Sequence, residues 1–430
     1  GVVHLIAISG LHLGLIYGLL LLLTKPLKQI KRLRWLRLIL ILVCLWLFSL
    51  LAGAGPSVMR SALMFSLLAV GESALKRTNI FNTLAFSAFA LLCVNPFWLW
   101  DVGFQLSYAA VLSIVLFFQP IYNYIRFRNK LIDFFWKLSS VTLAAQILTL
   151  PISIYHFHQM PLLFLLTNFV AVPLAGAVLV GELLLCAVSL LPALPFLIGG
   201  ILVKLIYFMN TYIEQIDSLP FAVWNSLSVT LVQTFLLLCF SFTLCFWLME
   251  TRRYYARIAF TSLTLFMCLR GLSFADAYRQ RKLVVYNVPK HPAIDIINGR
   301  RHVFLGDSAM LFDGFERNFH LQPSRVLHRL TPDEGDIGTR HFTLGGKQFL
   351  RLDEALPFTA AYPKQQLSVV VLSKNPKLTI SSLVPAFSIG QVVIDGSVPP
   401  WKAALWKKEC DSLHIPAYDV SESGAFVMNW

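Results

Sequence analysis

Charge is scarce in this sequence. Only 13% of its 430 residues are Asp, Glu, Lys or Arg, where a soluble domain carries roughly 25%. With 57% hydrophobic residues and a mean hydropathy of +0.68, the class is that of a membrane protein. Nothing at the start reads as a cleavable leader: the sequence begins Gly1-Val2-Val3-His4, with no initiator methionine and no basic segment ahead of an apolar core. The expectation is a fragment whose N-terminal region is missing. Cysteine offers no framework. Six of the seven (Cys44, Cys93, Cys186, Cys239, Cys245, Cys268) lie in apolar runs and only Cys410 lies outside them, so neither a disulfide pattern nor zinc-ligand spacing follows.

The charge that is present is lopsided, with a formal net of +14. Residues 1–275 hold 18 basic and 7 acidic residues, and residues 276–430 hold 18 and 15, so the excess belongs to the apolar part. Fifteen of the first 18 fall in four short loops: Lys25 to Arg37, Lys76 with Arg77, Arg126 to Lys137, and Arg252 to Arg257. Clusters beside spans are the pattern of cytoplasmic loops, which outweighs a nucleic-acid-binding patch. Apolar runs long enough to cross a bilayer cover about 2–23, 38–54, 57–75, 80–97, 103–120, 138–156, 162–190, 195–215, 228–249 and 258–274. Ten spans put all four basic loops on one side and everything after residue 275 on the other. The run 162–190 is interrupted by Asn168 and Pro173; read as two crossings, it would move the last basic loop across.

Beyond residue 276 the composition shifts to Pro, Gly, Asp and Arg with short β-rich runs at Leu283–Val288, Arg301–Leu305, Leu367–Leu372 and Gln391–Ile394. The tail continues with an amphipathic helix, Trp401–Leu413, a strand around Ala417–Val420, and Ala425–Met428. The expected fold class is a polytopic α-helical membrane domain of about ten spans, residues 1–275, followed by a soluble α/β domain, 276–430, long enough for its own core.

Several residues sit where lipid should exclude them. In the stretch Leu99–Leu116, Asp101, Gly103, Gln105, Ser107 and Tyr108 supply more polarity than a lipid-facing helix tolerates, so they need partners inside a bundle. Gly103 and Ser107 share a helical face in the small-xxx-small arrangement that lets two membrane helices approach. Ser9, Gly10 and His12 lie in the first span, with His4 two turns from His12. Arg60 stands four residues into the third span, behind Gly53-Ala54-Gly55-Pro56-Ser57, at a cost of about 2.5 kcal/mol or more if it reaches mid-span. It faces water or a partner, or it snorkels to the interface. Glu182, Lys204 and Arg270 have the same alternatives. His156 and His158 form a His-x-His pair, but no third ligand is identifiable, so no metal site is expected.

Taken together, His4-Leu-Ile-Ala-Ile-Ser9-Gly10-Leu-His12, Pro56-Ser-Val-Met-Arg60-Ser-Ala, Asn95-Pro96, Asp101-Val-Gly103-Phe-Gln105-Leu-Ser107, and Asn168 with Pro173 resemble, in order and spacing, the competence domain of ComEC-type DNA-uptake channels. The resemblance covers roughly residues 1–275. It implies a multi-pass protein of the bacterial inner membrane that passes one strand of transforming DNA into the cytoplasm. The implied partners are single-stranded DNA, membrane lipid, other competence machinery and further copies of the chain. In that setting Arg60 is the candidate phosphate contact. Gln105, Ser107, His4 and His12 are candidates for lining or bracing the path, and Gly10 and Gly103 for close helix contact. Ser9, Asp101 and Asn168 complete the motif set, and fixing the bundle geometry is an alternative role for each.

Many members of that family end in a metallo-β-lactamase-like domain, and the tail is similar in outline. Where the nuclease-like members place a His-x-His-x-Asp-His motif, this chain has Ser373-Lys374-Asn375-Pro376-Lys377. The resemblance therefore implies a degenerate, extracytoplasmic domain with no metal, no cofactor and no hydrolytic activity. The other function class in play is a small-solute or ion transporter, but no inverted repeat and no cluster of intramembrane carboxylates supports it.

Overall fold

Hydroxyl side chains within apolar helices close back on their own backbones: Ser66 on Ala62, Ser140 on Trp136, Thr149 on Ala145 and Thr243 on Cys239, at 2.6–2.9 Å. Such bonds satisfy hydroxyls that a hydrocarbon surrounding would otherwise leave unpaired. The computed structural model describes residues 10–30, 33–74, 78–191, 193–310, 314–331, 340–355 and 362–430. His4 and Ser9 lie outside the described residues. The chain divides into two compact units, Gly1–Met267 and Cys268–Trp430.

In the first unit each predicted apolar run holds one helix: α1 (Gly10–Leu23), α2 (Arg34–Leu51), α3 (Pro56–Ser73), α4 (Ile80–Val94), α5 (Val102–Tyr124), α6 (Lys130–Phe157), α7 (Phe164–Ala187), α8 (Leu194–Asp217), α9 (Leu231–Glu250) and α10 (Arg253–Arg279), the last continuing into the second unit. Seven of them, α2 and α5 to α10, are long and apolar enough to cross a membrane. The count of ten is met only by adding α1 and α4, of 14 and 15 residues, and α3, whose apolar character is diluted by Arg60 and Glu72. The run with Asn168 and Pro173 is one unbroken helix, α7, so the broken-helix alternative does not hold.

Local chemistry sets the helix starts. Pro56 occupies the first turn of α3 after the left-handed Gly53 and Ala54, with φ of 82° and 49°. Asp101 caps α5 by accepting from Phe104 N at 2.7 Å, and Asn129 caps α6 through Leu131 N at 2.9 Å. Thr230 and Gln233 form a reciprocal capping box on α9. Between α5 and α6, Ser113 Oγ donates to Ala144 O and accepts from Leu148 N, beside the buried Phe117, Ala144 and Leu148.

The second unit stacks two larger sheets, with a short parallel pair, Gln365–Leu367 and Phe387–Ile389, beside them. One is antiparallel, ordered β9-β1-β2-β3 from Phe426–Asn429, Arg281–Val285, Ala293–Asn298 and Arg301–Gly306. The other runs β8-β7-β6-β5-β4, from Ala417–Asp419, Val392–Ile394, Val369–Leu372, Lys347–Leu352 and His341–Leu344. There β5 to β8 are parallel and β4 is antiparallel to β5. Leu283, Val285, Ile294 and Leu305 of the first sheet meet Phe349, Val369, Val371 and Val393 of the second in one core. The outer face of the parallel sheet packs on helix α11 (Pro400–Ser412) through Ala403, Trp406 and Cys410. Burial pushes the Cys410 thiol up to about 11, which marks it as a packing residue. Asp295 is fully buried on β2 and takes a bidentate pair from Arg325 at 2.9 Å and a bond from Tyr286 OH at 2.9 Å.

Candidate functional site

Arg60 lies one turn into α3, where the tight Gly53–Ala54 turn returns the chain beside α2. A snorkelling arginine would be exposed, whereas Arg60 is 6% exposed, held between α1, α3 and α5. Its Nη2 donates to Ser61 Oγ at 3.0 Å, Ser61 Oγ donates to Ser57 O at 3.0 Å, and Nη1 lies 3.7 Å from Met64 Sδ. The guanidinium carbon stands 5.8 Å from the centre of the Tyr108 ring, within cation–π range. Tyr108 is itself anchored, its hydroxyl 3.0 Å from Ser87 Oγ of α4 and its ring 4.5 Å from that of Phe104. Among the described residues no carboxylate pairs with Arg60, and its Nε has no hydrogen-bond partner. A buried guanidinium that keeps its charge and an unsatisfied N–H is costly and persists where something else demands it.

Gly10 makes this arrangement fit. A Cβ at Gly10 would stand 2.5 Å from Ser61 Oγ and 2.7 Å from Arg60 Nη2, so α1 approaches α3 directly over the Arg60–Ser61 pair. Gly103 does not do the same. It is exposed, and the nearest atom to its Cβ position is Oδ1 of its own cap, Asp101, at 3.1 Å. Among the described residues no neighbouring helix meets the Cβ position of Gly103, and Ser107 Oγ bonds Phe104 O of its own helix at 3.0 Å. Two turns further on, α5 and α6 meet at Ser113 and Phe117, among the buried Ala144 and Leu148.

Gln105 is a bridge. Its Nε2 donates to Leu99 O at 2.9 Å and its Oε1 lies 2.9 Å from His156 Nε2, tying the start of α5 to the end of α6. His158 sits beyond that end in a left-handed conformation, its Nδ1 3.3 Å from Leu227 O, so the two histidines face different partners. Among the described residues no group of three His, Cys, Asp or Glu side chains could hold a metal. His12 is half-buried on α1. Asn168 is buried on α7 with Oδ1 lacking a partner among the described residues.

Sequence reasoning missed two groups. Ser61 and Ser87, the hydroxyls that seat Arg60 and Tyr108, carry no signal beyond being polar within apolar runs. Arg37 was counted with a basic loop, yet it is buried on α2, with Nη1 3.4 Å from Glu72 Oε1 of α3 and Nε donating to Thr24 Oγ1 at 3.1 Å. The two interior arginines thus differ: Arg37 is neutralised by Glu72, and Arg60 is seated on neutral groups.

Residues 1–251 match the family model described as Competence protein, and residues 283–430 match the one described as ComEC C-terminal domain. A curated relative, ComE operon protein 3 of Bacillus subtilis (strain 168), is 35% identical over 227 residues, covering 50% of this chain and 27% of the relative. The chain thus matches only about a quarter of that relative's length. No solved structure matches.

Proposed function

Because the chain belongs to the competence protein family and ends in a ComEC C-terminal domain, we propose that its helical unit conducts single-stranded DNA across the bacterial inner membrane. The observation that carries this reading is Arg60, a buried cation seated on Ser61 and the face of Tyr108 with no carboxylate partner among the described residues. A strand carrying one negative charge per nucleotide crosses a bilayer only along a polar path. A guanidinium held in place by neutral groups keeps its charge and its planar fork for two phosphate oxygens. Gly10, Ser61, Ser87 and Tyr108 position it; Gln105 and His156 brace the neighbouring helix ends. Asp101 acts as a cap, and Ser107 and Gly103 shape the start of α5.

The four basic loops lie in the cytoplasm in this reading, and the domain after residue 276 lies outside it. That domain is non-hydrolytic, since the loop after β6 presents Ser373, Lys374, Asn375 and Lys377 where metal ligands would be needed. Delivery and assembly partners follow from the competence role. A solute-transporter reading has no comparable support.

The test is transformation frequency, normalised to membrane protein level, in a competent host deleted for its own homologous gene and carrying Arg60→Lys or Arg60→Gln. Lysine keeps the charge and is expected to retain part of the activity, whereas glutamine is expected to lower it at least tenfold, on the order of the 1.4 kcal/mol that one charge-assisted contact supplies. Near-wild-type transformation by Arg60→Gln would sink the conduit role.

A further inference from the structure

Three guanidinium groups converge on one aromatic ring near the C-terminal end of α10. Arg329 lies 4.5 Å, Arg270 5.1 Å and Arg300 5.3 Å from the centre of the Phe274 ring. Arg300 also stands 5.5 Å from the Tyr278 ring, and its Nε donates to Arg329 O at 3.1 Å. Arg329 donates through Nε and Nη2 to Ser273 Oγ at 3.1 and 2.9 Å. These contacts fix the three side chains within roughly a Debye length of one another, ~10 Å, so each charge feels the other two. Burial, and then the Arg270 and Arg300 charges, hold Arg329 down at about 10.

The height of the cluster identifies its surroundings. The apolar run 258–274 ends at Phe274, so Arg270 lies one turn inside that end and Tyr278 one turn beyond it, each about 6 Å along the axis. Leu265, Met267 and Leu272 on the same helix are exposed at 48%, 58% and 63%, which is what a lipid-facing surface requires. Tyr278, also exposed, sits where interfacial tyrosines belong. Arginines at such a level extend to the headgroup layer, and their forks match phosphate oxygens.

The geometry points to a binding site for the phosphate of an anionic phospholipid, formed by Arg270, Arg300 and Arg329 around Phe274. A nucleic-acid strand offers the same phosphodiester chemistry, but Arg270 lies within the apolar run, at a depth a lipid headgroup reaches from the side and a strand in water does not. Such a site would fasten the domain to the bilayer at the point where α10 enters it.

The full chain in nanodiscs tests this, with phosphatidylcholine alone or with about a third phosphatidylglycerol, reading the apparent Tm at fixed scan rate and the lipid retained in native mass spectrometry. Phosphatidylglycerol is expected to raise the wild-type Tm and to be retained in preference to phosphatidylcholine. Arg300→Gln, in the turn between β2 and β3, should weaken that retention about fivefold, the factor equivalent to the ~1 kcal/mol per basic residue near an anionic surface. Arg300→Lys should keep most of it, and Lys408→Gln, on exposed α11 surface, should change nothing. Equal retention of both lipids, or phosphatidylglycerol retention unchanged in Arg300→Gln, would overturn the proposal. So would a single-stranded oligonucleotide that displaces phosphatidylglycerol and depends on Arg300, which would reassign the site to nucleic acid.

Discussion

Replacing Gly10 by alanine places a methyl carbon 2.5 Å from Ser61 Oγ and 2.7 Å from Arg60 Nη2, about 1 Å inside ordinary contact distance. Arg60 can withdraw the tip of its side chain, but the Ser61 hydroxyl is short and is bonded on both sides. If Ser61 rotates away, it gives up its 3.0 Å bond to Ser57 O and its 3.0 Å bond from Arg60. The first is worth about 1 kcal/mol and the second, to a charged donor, about 1.5–3; if α1 shifts instead, overpacking costs about 1–3. The two routes together bracket a loss of about 1–4 kcal/mol, which lowers the apparent Tm of a unit this size by roughly 2–16 °C. The assay is thermal unfolding of the full chain in detergent at one scan rate, followed by tryptophan fluorescence. Gly10→Ala combined with Ser61→Ala removes the harder collision, so the double variant should cost at least about 1 kcal/mol less than the two single losses added together. Transformation should fall in Gly10→Ala and partly recover in the double variant. A Gly10→Ala chain unfolding within a degree of wild type, or strict additivity of the pair, would refute the close approach of α1 to Arg60.

Burial raises the Asp395 carboxyl above its ordinary range, and Oδ2 has no hydrogen-bond partner among the described residues. The folded state therefore holds that proton more tightly than the unfolded chain. Stability is lost as the pH rises from the unfolded value, 3.8, through the folded one, and the full cost is present at neutral pH. Asp395→Asn keeps Oδ1 for Ser397 N and Oγ and should unfold higher at pH 7, by about 2–4 °C per kcal/mol recovered. The gain should shrink toward pH 4; a variant destabilised equally at both pH values would contradict the reasoning. Alkaline-phosphatase and fluorescent-protein fusions at Lys130 and Gly346 should report cytoplasm and exterior respectively, and phosphatase activity at Lys130 would reverse the topology. The full chain, supplied with zinc or manganese, should leave single- and double-stranded DNA uncut; stoichiometric metal binding with cleavage would restore a nuclease.

Apolar runs were easy to read because lipid imposes one requirement along the whole length of a helix, and every one of the ten runs holds a helix. Strands were harder. Ala293–Asn298 and Lys347–Leu352 went unread because each carries a charge in a buried position, Asp295 and Arg351, which breaks the apolar signature. Asp295 is tolerated through Arg325, 30 residues away in sequence. Arg37 was misplaced for the same reason, since the Glu72 that permits its burial is 35 residues distant. Charges at the edges of runs look like loop residues until their partner is known.

Polar residues inside the spans posed the opposite problem: spacing shows which face they share and says nothing about what that face meets. Gly10 and Gly103 look alike in sequence, each small and each near further polar residues. Gly10 accommodates a neighbouring helix and Gly103, among the described residues, does not: α1 is laid against α3, while the start of α5 is held by its own Asp101 cap and by the Gln105–His156 bridge. Gln105 is out of competition for an anion because its amide nitrogen already donates to Leu99 O, and Asp101, itself a carboxylate, repels one. Arg60 is the motif residue whose charge the described surroundings orient without neutralising, and Tyr108 contributes to that because an aromatic face attracts a cation without accepting its protons. A glutamate in place of Tyr108 would turn Arg60 into a second Arg37, a fixed structural pair. The Arg60 substitutions therefore bear on the proposed conduction more directly than changes at any other residue of the motif set.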